Sequence, residues 1–269
     1  MVLFPEKGAR RSRSLRRNER EMNIPQEVLP DNLILLGYRG SLAHGTYMPP
    51  SSPEGTDDRD IMGVFVAPLE HYMGFGRSDN KNKFVDEWDA VSYEIIKFVK
   101  LLLKCNPNVL NLLWLDESLY VFKHPVGQIL IDKRNIFASK KSYYTFCGYA
   151  YSQLKKMTHH EYKGYMGQKR KKLVDKHGYD TRNASHLIRL LRMGIEFLND
   201  GRLYVHRADA AELIAIKKGE WTLTQVQDEA ESLLSLMEES YYKSPLPPEP
   251  DREKAERLVM EIITSYHFK

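Results

Sequence analysis

The feature that most constrains the fold is the stretch over residues 33–66, where two apolar segments flank a polar loop. The first segment, residues 33–36, is typical of a β-strand and leads through three residues to Gly40-Ser41. The second segment, residues 61–66, follows directly on a group of acidic residues. Because glycine adopts backbone angles that other residues avoid and lets a ligand approach the main chain, the pattern predicts two strands joined by a ligand-binding loop.

Ser41 is expected to cap a short helix over residues 42–46, since a serine side chain accepts hydrogen bonds from the free N–H groups of a first helical turn. Such N–H groups suit a phosphate. Gly40 and Ser41 are therefore candidate phosphate-binding residues. The alternative interpretation is a capped loop between two strands, with a solvated acidic turn and no ligand.

The acidic group before the second strand predicts a metal site. Asp58 and Asp60 are two positions apart, so on a strand both side chains leave from the same face. Carboxylates that lie this close raise each other's proton affinity unless a cation lies between them. Mg²⁺ prefers oxygen ligands and suits such a pair. Asp57 points to the other face and is expected to be a poor partner.

Four motifs together resemble a known group of proteins. They are GSLAHGT at 40–46, DDRDIMGVFVAP at 57–68, WDAVSYEIIKF at 88–98 and NPNVLNLLW at 106–114. They resemble the predicted nucleotidyltransferases found beside RNA-repair ligases, within the DNA polymerase beta-type nucleotidyltransferase superfamily. The similarity runs from about residue 33 to residue 114 and resumes near Tyr179. The spacing from Gly-Ser to Asp-x-Asp is longer here than in most of the superfamily.

Nucleotidyl transfer with two metal ions needs a third carboxylate. Asp86, Glu87 and Asp89 are the candidates on a third strand predicted over residues 83–91, and periodicity does not choose among them. The resemblance selects Asp89, because the family's aspartate lies just before a Tyr-Glu pair that opens a helix. The alternative is an acid that leads into the helix near its positive end. The resemblance therefore implies Mg²⁺ or Mn²⁺ on Asp58, Asp60 and Asp89.

Two helix starts follow this strand. Ser92 is expected to cap a helix with apolar residues at helical spacing. Asn106-Pro107 is typical of a second start, with asparagine as the cap and proline in the first position. We expect this pair to position two helices against the sheet rather than to contact a ligand.

The second half of the chain has a helical pattern from about Ser139, and its strongest helix covers residues 183–199 and ends at Gly201. Arg182, His186 and Arg189 share one face of this helix. A row of cations on a buried helix needs an anionic partner, which is either an internal salt bridge or a ligand. The motif YDTRNASHLIRL resembles a recurring pattern of the family, which implies that these three residues bind the nucleotide.

Composition narrows the class of protein further. No apolar stretch is long enough to span a membrane, and the N-terminus lacks the apolar run of a signal peptide. Cys105 and Cys147 lie far apart without metal-ligand spacing, so we expect two buried free thiols in a reducing cytoplasm.

Residues 1–22 carry seven basic and three acidic side chains, so the whole net charge of +4 resides in this segment. It is interpreted either as a disordered arm that binds RNA or DNA or as a vestigial start. We therefore predict three parts: the arm, a catalytic α/β domain with a small mixed sheet over residues 23–138, and a helical domain over residues 139–269.

The predicted function is transfer of a nucleoside monophosphate from an NTP to a hydroxyl acceptor, with RNA favoured as the acceptor. A protein hydroxyl as the acceptor, or a non-catalytic nucleotide- or RNA-binding module, are the alternatives. The residues indicate neither the base of the NTP nor the oligomeric state.

Overall fold

The computed structural model describes residues 24–52, 55, 57–74, 80–158 and 168–268. The predicted basic arm, residues 1–22, lies outside these residues. Within them a sheet is formed by five strands: β1 (Leu33–Tyr38), β2 (Arg59–Phe65), β3 (Asn80–Val85), β4 (Trp88–Glu94) and β5 (Tyr120–Lys123).

The strand order in the sheet is β3-β4-β2-β1-β5. Strands β2 and β4 are parallel, and the other three neighbouring pairs are antiparallel. The sheet is therefore mixed, which confirms the predicted α/β class. Because parallel strands begin at the same edge of a sheet, the first residues of β2 and β4 lie side by side.

The single strand predicted over residues 83–91 is wrong, because the structure contains a β-hairpin there. Strands β3 and β4 pair closely, with Val85 opposite Trp88 and Phe84 opposite Asp89. The turn passes through Asp86, whose φ of 54° lies in the left-handed region. Aspartate tolerates this region better than most residues, so the turn forms without the glycine that would have revealed it.

The described residues also form eleven α-helices. Predicted helices over 142–157 and 183–199 are confirmed with small shifts at their ends. The helices are α1 (Gly40–His44), α2 (Leu69–Met73), α3 (Ile95–Leu102), α4 (Pro107–Leu110), α5 (Pro125–Asp132), α6 (Ser142–Thr158), α7 (Gln168–His177), α8 (Thr181–Asp200), α9 (Ala210–Lys217), α10 (Leu223–Lys243) and α11 (Arg252–Phe268).

The two expected helix caps have different outcomes. Asn106 caps α4 as predicted, because its side chain accepts a hydrogen bond from Asn108 N and Pro107 occupies the first helical position. Ser92 does not cap α3, since it lies within β4. Glu94 is the cap instead, and its carboxylate accepts hydrogen bonds from the N–H groups of the first turn of α3.

One face of the sheet packs against the helices through a continuous apolar core, which extends from Ile34 on β1 to Ile262 on α11. Helix α8 lies at its centre and contacts α6, α9 and α10, while α11 returns to pack on α5 and α3. This core runs through the boundary predicted at residues 138 and 139, and the division into two domains stays a prediction. The other face of the sheet is covered in part by Ile24, Val28 and Leu29.

Both cysteines are free thiols in the structure. Cys105 is buried as expected, whereas Cys147 is only half-buried. Burial raises the pKa of the Cys147 thiol to about 11. Among the described residues, no helix combines the length and hydrophobicity that a membrane span requires.

Candidate active site

Gly40 connects β1 to α1 and makes the close approach of these elements to β2 possible. Its φ of 59° is left-handed, and a Cβ atom at this position would lie 2.3 Å from Oδ2 of Asp60. Both the backbone angle and the contact therefore exclude other residues. The expected serine cap is wrong, because α1 begins at Gly40 with Arg39 as its N-cap and no capping side chain. Ser41 instead lies inside the first turn.

Asp60 and Asp89 lie next to each other on the face of the sheet that packs against the helices. They are register partners in the parallel ladder of β2 and β4. Arg39 Nη2 donates to both carboxylates, at 3.1 Å to Asp60 Oδ1 and 2.7 Å to Asp89 Oδ2. This arginine was not predicted as a site residue, although it directly precedes Gly40.

The ionisation of Asp60 reflects this environment. Burial raises the pKa of the Asp60 carboxyl to about 6; the Arg39 guanidinium lowers it, and the Asp89 and Asp58 carboxylates raise it. The positive charge that Arg39 supplies therefore does not fully offset burial and the neighbouring negative charges. A further cation at this position would stabilise the ionised pair.

Asp60 and Asp89 fit a hard divalent cation. Both supply carboxylate oxygens, which Mg²⁺ prefers, and both already approach one cationic nitrogen. Asp58 is exposed directly before β2. The part of the chain that the structure describes contains no group of three His, Cys, Asp or Glu side chains placed to hold a metal ion together. The proposed three-aspartate set is thus only partly assembled in this arrangement.

Asp57 has a role that was not predicted from the sequence. The carboxylate is buried and accepts hydrogen bonds from Arg182 Nη2 at 2.8 Å, Lys217 Nζ at 2.6 Å and Met48 N at 2.8 Å. Lys217 also donates to the Thr46 carbonyl at 2.9 Å. Asp57 therefore connects the residues before β2 to α8 and α9. For Arg182, the alternative of an internal salt bridge is present in the structure.

Arg189 differs from Arg182 in its partners. It is only 6% exposed, and its Nη1 donates to Met193 Sδ at 3.2 Å. No carboxylate of a described residue lies within salt-bridge distance of it. Burial, followed by the charge of Arg207, lowers the pKa of Arg189 to about 10. A buried cation without a paired carboxylate is unfavourable unless an anion binds to it.

His44 is buried in the site, as are the basic side chains of Lys217 and Arg189. Burial and the neighbouring Arg189 hold the pKa of His44 well below its usual value. Its Nδ1 lies 2.9 Å from the Val205 carbonyl, so the neutral ring donates from Nδ1. The imidazole therefore contributes no positive charge near neutral pH.

A cleft joins these side chains, and we describe it as two lobes. The first lobe encloses about 640 Å³, including its open mouth. Seven of the eight predicted site residues line it, and Asp89 lies beside Asp60 without lining it. The lining residues of the first lobe are Gly40, Ser41, His44, Thr46, Asp57, Asp58, Asp60, Arg182, Ser185, His186, Arg189 and Lys217.

The second lobe adjoins the first at Gly40 and Asp60, which line both, and it encloses about 560 Å³, including its open mouth. It shares five residues with the first lobe and adds Arg39, Asn108 and Asn111. Neither asparagine was predicted as a site residue. The available signal was Asn111 itself, a polar residue within the apolar run VLNLLW.

Comparison with known proteins identifies the class. The chain is a DNA polymerase beta-type nucleotidyltransferase, a class whose members generally use divalent metal ions. It belongs to the RlaP family, described as the RNA repair pathway DNA polymerase beta family, whose model matches residues 9–261. This confirms the resemblance drawn from the four motifs.

Two further comparisons leave this conclusion unchanged. A solved structure of a nucleotidyltransferase-like protein from Exiguobacterium sibiricum 255-15 is similar at 10% sequence identity and a TM-score of 0.28, over 94% of this chain and 78% of that chain. No curated protein matches the chain.

Proposed function

We propose that this protein transfers a nucleoside monophosphate from an NTP to a hydroxyl acceptor, and that the acceptor is the end of an RNA. The observation that carries the proposal is that one cleft is lined both by Asp60, whose carboxylate shares Arg39 with that of Asp89, and by the buried Arg189. Carboxylates hold a metal ion that in turn binds the phosphates of a nucleotide. A buried cation without a carboxylate in salt-bridge contact favours the binding of an anion. The two free thiols support a cytoplasmic location.

In this proposal the first lobe holds the triphosphate. The first lobe is lined by Arg189, His186 and Arg182 from α8, together with Gly40 and Ser41. Arg189 supplies a charge that has no carboxylate of the described residues within salt-bridge distance. Arg182 is held in place by Asp57, and Lys217 joins the proposed set because it lines the same lobe from α9. Each of these side chains binds rather than reacts.

Asp58, Asp60 and Asp89 are the proposed catalytic acids and the residues that would hold Mg²⁺ or Mn²⁺. The metal would supply charge neutralisation at the phosphate under attack. Asp89 would take the proton of the attacking hydroxyl. The hydroxyl oxygen forms a bond to the α-phosphorus, the bond from that phosphorus to the bridging oxygen breaks, and pyrophosphate leaves. Positioning and charge neutralisation dominate catalysis of this kind.

The test is incubation of the protein with each α-labelled NTP, Mg²⁺ or Mn²⁺, and a mixture of cellular RNA and protein. The same reaction with the double variant Asp58→Ala, Asp60→Ala is the control. Label that enters RNA and is lost in the variant supports the proposal. Label that enters protein would show that the acceptor is a protein hydroxyl rather than RNA. Metal-independent NTP binding without any transfer would indicate a non-catalytic binding module.

A further inference from the structure

Two residues that line the second lobe of the cleft, Arg39 and Asn111, each carry a buried polar atom without a hydrogen-bond partner: Arg39 Nε and Asn111 Oδ1. Within the described residues these are the two buried side-chain nitrogen or oxygen atoms that lack one. One is a donor and the other an acceptor. Their occurrence in the same lobe is informative, because buried polar groups nearly always find partners.

Asn111 is difficult to explain as a structural residue. It is 6% exposed and begins the short 3₁₀ segment Asn111–Trp114, where the next three residues are buried and apolar. A structural asparagine at such a position normally bonds to the backbone or to another side chain. The neighbouring Asn106 does so, since it accepts from Asn108 N at 3.0 Å and donates to Tyr149 Oη at 2.9 Å.

Arg39 connects this lobe to the acids. Its Nη2 bridges Asp60 and Asp89, while its Nε lacks a partner. A group that accepts a hydrogen bond from Nε therefore lies close to the two carboxylates. The lobe needs a ligand that can donate to Asn111 and accept from Arg39, and a hydroxyl does both.

We propose that the second lobe binds the terminal ribose of the RNA acceptor through Arg39 Nε and the amide of Asn111. A terminal ribose carries two neighbouring hydroxyls. One hydroxyl bonds to Asn111, and the other accepts from Nε of Arg39, the guanidinium that also bonds to Asp89. The 2′-hydroxyl then becomes the group by which the protein distinguishes RNA from DNA. This inference rests on the proposed function, since it takes the acceptor to be a nucleic-acid end.

The test measures binding and does not require turnover. A fluorescent single-stranded RNA is compared with the same strand carrying one 2′-deoxynucleotide at its end, by anisotropy with the full chain. The wild type is expected to bind the ribose end about tenfold more tightly, the effect of roughly one hydrogen bond. Asn111→Leu should bind both ends equally, with a melting temperature no lower than that of the wild type.

Asn106→Leu is the matched control on the same segment. It removes an asparagine whose bonds are satisfied, so it should lower the melting temperature and keep the preference for the ribose end. If Asn111→Leu does not fold, Asn111→Ala gives the same reading. Equal binding of both ends by the wild type, or a preference that survives in Asn111→Leu, would overturn the inference.

A separate titration with NTP and dNTP distinguishes this inference from the proposed function. If the wild type binds no NTP but prefers the ribose end of RNA, the proposed function is wrong, and the assignment of the second lobe to the ribose end is retained. If it binds NTP but neither RNA strand, the inference about the second lobe is wrong and the proposed function is unaffected. Asn111→Leu could instead lose the discrimination between NTP and dNTP while it keeps the preference for the ribose end of RNA. That result would assign the second lobe to the nucleotide and overturn the inference.

Discussion

The carboxylates of Asp60 and Asp89 lie side by side on parallel strands and share a single nitrogen of Arg39. Two like charges are therefore held together by a cation that belongs to the same chain. In the metal-dependent reaction that we propose, the metal ion would have to take over this role from the guanidinium. Arg39 thus holds the Asp60–Asp89 pair in place.

Asp60→Asn is expected to abolish transfer while the fold remains intact. The substitution keeps the size of the side chain and removes one negative charge from a pair in which burial, and then the neighbouring Asp89 carboxylate, raise the pKa of Asp60. We expect the transfer rate to fall by about a thousandfold or more, because stabilisation of the transition state by charge is lost. Label transfer and thermal unfolding measured in parallel check this, and transfer at the wild-type rate would exclude Asp60 as a catalytic acid.

Arg39→Ala is expected to bind Mg²⁺ more tightly than the wild type when no nucleotide is present. The metal ion then no longer competes with a guanidinium, and we expect an increase in affinity of about tenfold. Titration calorimetry or the Mn²⁺ resonance signal measures it. Arg59→Ala is the control, because Arg59 pairs with Glu87 at 3.1 Å and contacts neither Asp60 nor Asp89. Weaker metal binding by Arg39→Ala alone would contradict the competition.

Arg189→Met should weaken NTP binding without destabilising the protein. The substitution removes a buried charge that has no carboxylate of the described residues within salt-bridge distance, so the free energy of unfolding should stay the same or rise by about 1 kcal/mol. Loss of charge-assisted bonds to phosphate should lower NTP affinity by about ten- to a hundredfold. Equilibrium dialysis and urea unfolding give the two quantities.

Arg192→Ala, three residues further along α8, should behave in the opposite way. Its guanidinium bonds to Asp209 at 2.8 Å, Glu212 at 2.6 Å and Glu229 at 2.7 Å. We expect a loss of about 2–4 kcal/mol in the free energy of unfolding and unchanged NTP affinity. If both variants lose stability and affinity together, Arg189 is structural and the triphosphate lies elsewhere.

Asp57→Asn should destabilise the protein by about 3–5 kcal/mol, because it leaves Lys217 and Arg182 without their buried carboxylate. Lys217→Met should cost less, since Arg182 remains as a partner of Asp57. The double variant should lose less stability than the sum of the single variants, with a coupling of about 1–3 kcal/mol. A double-mutant cycle in urea measures it, and strict additivity would mean that the contact contributes no coupling.

Stability should fall as the pH is lowered below about 6.5, in part through His44. The unfolded chain protonates this histidine near the ordinary histidine pKa of 6.5, whereas the folded protein protonates it only well below that value. Unfolding in this window therefore takes up a proton, and stability declines by at most about 1.4 kcal/mol per pH unit.

His44→Asn removes this contribution and keeps an N–H donor toward the Val205 carbonyl. Its stability should vary less with pH between about 5 and 6.5 than that of the wild type. An unchanged slope in His44→Asn would show that His44 has the same pKa in the folded and unfolded states and would contradict this prediction.

The elements that the sequence predicts well are those with local signals. The Asn106-Pro107 start and the Gly201 end each depend on a residue's own backbone preference, and both are present in the structure. The cap at Ser92 fails for a different reason. A serine there is a good cap by composition, but pairing with β2 and β3 keeps residues 88–94 extended, and the helix starts only at Ile95, with Glu94 as its cap.

The site was predicted in part, because some of its residues carry a pattern and others do not. Asp58, Asp60 and the row on α8 repeat at strand or helix spacing, so their grouping could be predicted. Lys217 is 160 residues away from Asp57, and a contact over such a distance leaves no trace in local spacing. Arg39 was adjacent to the motif, but its bridge between Asp60 and Asp89 depends on the parallel register, which a sequence pattern does not specify.

The continuous core from Ile34 to Ile262 has a consequence for how substrates enter. The sheet and the helices that line the cleft share this interior, so they cannot move apart as two rigid bodies without exposing it to water. We therefore expect both lobes of the cleft to keep their shape when a substrate enters, so that this shape selects the substrate.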